Sequence, residues 1–141
     1  MNQQTVEISV PNQLGYERIA MGSVAAFAET IGFLPDRIED LKTAVAEACI
    51  NAVQHGNKDH SDARVVVTMS FRDGVLYISV LDEGEGFKQI PKDPDIIRIM
   101  ENLDPPMGFG IFLIKKLMDE LEFKKSTDHR NEVRMAMRLQ K

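Results

Sequence analysis

Two extended segments joined by a two-residue turn set the framework of this chain. Val65, Val67, Met69 and Phe71 alternate along residues 64–71 and point to one face. Asp73-Gly74 follows, a pair suited to the positive φ angles of a tight hairpin. Residues 75–82 return and are apolar on nearly both faces, which predicts a central strand of a sheet rather than an edge. That strand ends in Asp82-Glu83-Gly84-Glu85-Gly86-Phe87.

The other periodicities supply what surrounds the hairpin. Residues 5–10 alternate and stop at Pro11, predicting a short strand. Tyr16, Ala20, Val24, Phe27 and Ile31 recur every three or four residues, predicting a helix over 13–31 closed by Gly32. Pro35-Asp36 opens a second helix, with Asp36 as its expected cap and Glu39 three residues on, as in a capping box. Its apolar stripe is Ile38, Leu41, Val45, Ala48 and Ala52. Gly108-Phe109-Gly110 opens a third helix, striped by Ile111, Ile114, Leu117, Met118 and Leu121. Strands near 121–126 and 132–139 close the chain, with Val133, Met135, Met137 and Leu139 facing the core. Residues 88–107 break every pattern. They hold four prolines and one short helical candidate at 95–102, and are expected to form a lid.

Composition bounds the function. A chain of 141 residues is expected to form one domain, residues 1–141, with a real core. Its net charge of −5 argues against nucleic acid as the main partner, because phosphate backbones want a basic face. Cys49 is the only cysteine, which excludes an internal disulfide. No apolar run approaches the roughly 18 residues of a membrane span, and the first residues carry no signal-peptide pattern. The expected location is the cytoplasm, away from membranes. The eight methionines sit at core-like positions and suit gap filling better than metal binding.

Three motifs carry chemistry. Glu47, Asn51 and His55 stand four residues apart on the second helix, a row along one face beside the apolar stripe. A carboxylate can take a proton, and an amide oxygen can ligate a hard cation. A solvated helix face is the plain alternative for this row. Asp82-x-Gly84-x-Gly86 puts a carboxylate at a strand end, where it can accept from an exocyclic amine. Its glycines let the backbone approach a flat ring. Gly108-x-Gly110 at a helix start offers unpaired N–H groups and the positive end of the helix dipole to an anion. The second and third motifs are each common alone; their order with the first is specific.

That order resembles the N, G1 and G2 boxes of the ATPase superfamily of gyrase B, the Hsp90 chaperones, histidine kinases and MutL, over roughly residues 5–139. The segments Ala46–Gly56 and Gly108–Glu120 are similar to the stand-alone bacterial serine-protein kinases that act as anti-sigma factors. The resemblance implies the Bergerat ATP-binding fold: an α+β, two-layer sandwich with a mixed, mostly antiparallel sheet and three main helices on one face. It implies ATP and Mg²⁺ as cofactors, with Asn51 holding the metal and Glu47 as the general base toward a serine hydroxyl. It also implies that Asp82 binds the adenine amine, that Gly84 and Gly86 lie near the ring, and that Gly108 and Gly110 address the phosphates. His55 would contact phosphate or shape the lid, or serve only as a histidine favoured by the helix C-terminal dipole. Asn131 stands where the family often has a threonine that assists adenine binding. The implied partners are an anti-anti-sigma protein of the STAS type and a sigma factor, and the implied assembly is a homodimer. Some members carry an arginine shortly before the third box. Here that stretch is Leu103-Asp104-Pro105-Pro106-Met107, with Arg98 the nearest basic residue before it. A nucleotide-binding switch without kinase activity therefore stands beside the kinase reading.

Overall fold

The computed structural model describes residues 4–58, 62–84, 100, 109–126, 128 and 130–140. The hairpin forms as its sequence dictates. Strands β2 (Arg64–Arg72) and β3 (Val75–Asp82) pair antiparallel, with Arg72 opposite Val75. Asp73 (φ 52°) and Gly74 (φ 78°) both take positive φ, the requirement of the tight turn between them. β1 (Thr5–Pro11) pairs with β2, while β5 (Asn131–Arg138) pairs with β3 and with β4 (Glu120–Lys125). The order is β1-β2-β3-β5-β4, and every pairing is antiparallel. β3 is thus central, as its two apolar faces require.

Helices α1 (Glu17–Ile31), α2 (Pro35–Asn51) and α3 (Phe109–Leu117) cover one face. The core brings Ala20, Val24 and Ala28 of α1 and Leu41, Val45 and Ala48 of α2 together with Ile114 of α3. From the sheet it takes Val65, Val67, Met69, Leu76, Ile78, Val80, Met135 and Met137, the alternate residues that share the pleat direction. Phe33, between α1 and α2, meets Phe71 of β2 edge to face at 6.5 Å. The opposite sheet face mixes apolar residues such as Leu81 and Ala136, both buried, with polar ones. There the Tyr77 ring lies between the guanidinium groups of Arg72 (4.6 Å) and Arg134 (4.7 Å), and Ser79 donates to Glu132 at 2.6 Å.

Two helix starts differ from expectation. α1 begins at Glu17 rather than residue 13, because Gly15 sits at φ 107°, outside the helical region. Tyr16 is consequently exposed, and Ala28 takes a core place instead. α2 is not capped by Asp36. Pro35 occupies the first helical position and drives the preceding Leu34 into an extended conformation (ψ 150°), so Leu34 is the N-cap and Asp36 already lies inside the first turn. Glu39 pairs with Lys42 at 3.1 Å instead of reaching back to a cap. The lid expected over 88–107 lies outside the described residues except for Met100, which is exposed.

Candidate functional site: a helix end, a glycine turn and a strand-end carboxylate

α2 carries its polar row to the edge of the core. Ala48 and Ala52 are buried, while Glu47 and Asn51, on the neighbouring side of the helix, are half-buried. The first turn of α3 packs directly on them. A Cβ on Gly110 would stand 2.9 Å from Glu47 Oε2 and 3.4 Å from Asn51 Nδ2, so glycine is what allows this approach. A carboxylate, an amide and the start of a helix thus share one small space.

α2 then widens into a five-residue π-helical turn, Ala52–Gly56, in which the Asn57 N–H donates to the Ala52 carbonyl at 2.7 Å. Such turns are rare and often mark functional places. The wider winding ends the i, i+4 row: His55 is exposed, unlike half-buried Glu47 and Asn51. The same turn drives Gly56 against β3, where a Cβ on Gly56 would overlap the Asp82 carboxylate. A Cβ on Gly84 would in turn overlap the Gly56 carbonyl. Two backbone turns therefore touch at a point where neither can carry a side chain.

Asp82 ends the central strand and is only 8% exposed. Its Oδ1 accepts from the Gly84 N–H and from the Asn131 amide, each at 2.9 Å. Asn131 stands opposite Asp82 in the β3–β5 register, and its amide also donates to the Gly84 carbonyl. Both donors fall on Oδ1, which leaves Oδ2 as the acceptor available to a ligand amine among the described residues. The loop leading into Asn131 is tied by Ser126, Asp128 and Arg130. Arg130 Nε lies 2.7 Å from Asp128 Oδ2. The Arg130 guanidinium, then the Ser126 hydroxyl, hold the Asp128 carboxyl well below the usual carboxylate range.

The structure thus gathers Glu47, Asn51 and Gly110 in one cluster and Asp82, Gly84 and Asn131 in a second, joined by the turn from Asn51 to Gly56. Gly86 and Gly108 lie outside the described residues. Neither Gly56 nor Asn57 has a role assigned by the sequence motifs. Asn57 is fully buried and fastens the turn on several sides, yet a lone asparagine between His-Gly and Lys carries no sequence mark of burial. Cys49, on the core side of α2, has its thiol pushed up to about 12, by burial first and by Glu17 second. It is an inert part of the packing.

The donor set fits the group the motifs imply. The Asn51 amide oxygen is a hard oxygen donor beside the Glu47 carboxylate, and Mg²⁺ takes few protein ligands when phosphates and water supply the rest. Among the described residues no three His, Cys, Asp or Glu side chains converge.

The family model for the histidine kinase-like ATPase domain matches residues 10–137, and the chain belongs to that family. Within it the chain is 34% identical to the serine-protein kinase RsbW of Bacillus subtilis over 125 residues, 85% of this chain and 78% of that protein. It is 36% identical to the RsbW of Bacillus pumilus over 123 residues, 83% of this chain and 76% of that one. A crystal structure of the RsbU and RsbW domains of a Mycobacterium tuberculosis protein superposes with a TM-score of 0.67 at 20% identity. That match covers 96% of this chain but 32% of the other, and it supports the fold. No helix among the described residues is long and apolar enough to cross a membrane.

Proposed function

We propose that this chain is an ATP-dependent serine-protein kinase and anti-sigma regulator, acting as a single domain. The observation that carries the reading is the packing of Gly110 on Glu47 and Asn51. It sets a carboxylate and an amide oxygen beside a helix start, the arrangement that phosphoryl transfer from a nucleotide needs. In this reading adenine lies at Asp82, with its amine donating to the carboxylate, and Asn131 and Gly84 fix the carboxylate's orientation. The glycines keep the floor flat. Gly108 and Gly110 present N–H groups to the phosphates. His55 stands at the rim, where its exposure suits a contact with phosphate or lid.

The chemistry follows from these positions. Glu47 takes the proton of an incoming serine hydroxyl as its oxygen bonds to the γ-phosphorus, and the bond from that phosphorus to the β,γ-bridging oxygen breaks, releasing ADP. Mg²⁺, held by Asn51 and the phosphates, would supply charge neutralisation. The substrate proposed is a serine of a STAS-type anti-anti-sigma protein. Its phosphorylation would free this chain to sequester a sigma factor, and ATP and ADP forms would differ in their preferred partner. A homodimer in the cytoplasm is the proposed working state. The second reading, a nucleotide-loaded switch without transfer, is favoured by the basic-free stretch Leu103–Met107.

One experiment separates them. Labelled ATP is incubated with the chain and a STAS partner, beside Glu47→Gln. The kinase reading expects label on the partner's serine, with transfer falling by about a hundredfold or more in Glu47→Gln while ATP affinity stays. Undiminished transfer in Glu47→Gln would overturn the role of Glu47. ATP binding with no label on the partner would leave the switch.

A further inference from the structure

We propose that Asn57 is a positioning residue for base selection: its buried amide sets the turn that aims the Asp82 carboxylate. The inference rests on the adenine reading above. Asn57 is 0% exposed and reaches four parts of the chain. Its Oδ1 accepts from the Glu83 N–H at 2.8 Å, the residue between Asp82 and Gly84. Its Nδ2 donates to the Arg64 carbonyl at 3.2 Å, at the start of β2. Its own N–H closes the π-helical turn on Ala52, and its carbonyl accepts from the Asn12 amide at 3.2 Å.

These contacts converge on one short loop. Asp82 Oδ1 is set by the Gly84 N–H, and Gly84 is pressed against Gly56, the neighbour of Asn57. The Glu83 amide sits between them and is held by Asn57 alone among side chains of the described residues. The carboxylate is therefore oriented from both ends of the Asp82–Gly84 turn: by Asn131 across the strand and by Asn57 through Glu83. An amide is the group the position demands, because one side chain must accept from Glu83 and donate to Arg64 together. A carboxylate-only acceptor at Asp82 distinguishes a ring that presents an amine from one that presents a carbonyl, provided it is aimed. Asn57 touches neither ring nor phosphate in this scheme; it acts through Asp82.

The test compares affinities for ATP and inosine triphosphate, whose six-position carries a carbonyl in place of the amine. Wild type prefers ATP. Asn57→Ala should lower that preference about tenfold, the scale of one lost hydrogen bond at a buried group. Its Mg²⁺ dependence should remain. Asp82→Asn runs beside it. A preference that falls in Asp82→Asn but not in folded Asn57→Ala overturns the role of Asn57 alone. An unchanged preference in Asp82→Asn overturns the adenine reading and this inference with it. A merely structural Asn57 would lower the melting temperature without moving the ratio. Hydrogen exchange in the wild-type chain keeps the proposal testable if Asn57→Ala does not fold. The Glu83 amide should be protected, and ATP should slow its exchange at least several-fold further. An amide that exchanges like an open loop would refute the proposal.

Discussion

Cys49 and the polar residues around it mark the boundary between what packs and what acts on α2. Its thiol has a folded value near 12 against an ordinary 9.0. A raised folded value means that the stability it contributes is fully present below about pH 9 and is lost as pH climbs toward 12, because the unfolded thiol releases its proton first. Stability should fall by about 1.4 kcal/mol per pH unit within that window from this group. Urea unfolding at pH 8 and at pH 10.5, for wild type and Cys49→Ala, checks it. A slope as steep in Cys49→Ala as in wild type would show that other groups carry the alkaline loss. At this scale the sequence was informative wherever a residue type has few reasons to occur. Asp82 with Gly84 after a buried strand was legible, and so was the pairing of Glu47 with Asn51. The widening of the helix at His55 was not legible, because a π-helical turn has no signature in side-chain spacing. Asn57 was invisible because its burial depends on Glu83 and Arg64, residues remote in the chain.

The start of α3 is where an element meets the site. The Gly110 contact is with the far end of Glu47, a flexible side chain, whereas the Gly84 contact is with the Gly56 backbone. The two substitutions should therefore part. Gly110→Ala should hold its melting temperature within a few degrees, since alanine gains helix propensity of up to about 1 kcal/mol. It should lose phosphoryl transfer by about tenfold or more, because Glu47 must move. Gly84→Ala should destabilise by about 1–3 kcal/mol, since backbone must shift. Calorimetry with a transfer assay on both variants decides this, and equal losses of stability would contradict it. Elements were legible where period and turn chemistry agreed, as in β2, β3 and the Asp73-Gly74 turn. Their starts were not, where Gly15 and Pro35 acted through backbone angles that outrank the apolar stripe.

At the scale of the fold, the five antiparallel strands among the described residues leave one face to three helices and put the end of the central strand beside the end of α2. The order of helix, hairpin and glycine-led helix foretold this, because each apolar stripe had one sheet face on which to bury. The meeting of Gly56 with Asp82 was not foretold, since it depends on how α2 winds past Asn51. Thermal unfolding with and without ATP and Mg²⁺, for wild type and Asp82→Asn, decides whether this fold holds a nucleotide at Asp82. Nucleotide at about 100 times its dissociation constant adds roughly 2.7 kcal/mol, or several degrees for a domain of this size. An upward, Mg²⁺-dependent shift is expected in wild type and should vanish in Asp82→Asn, for ATP and ADP alike. No shift at millimolar ATP, or one that survives in Asp82→Asn, would contradict it.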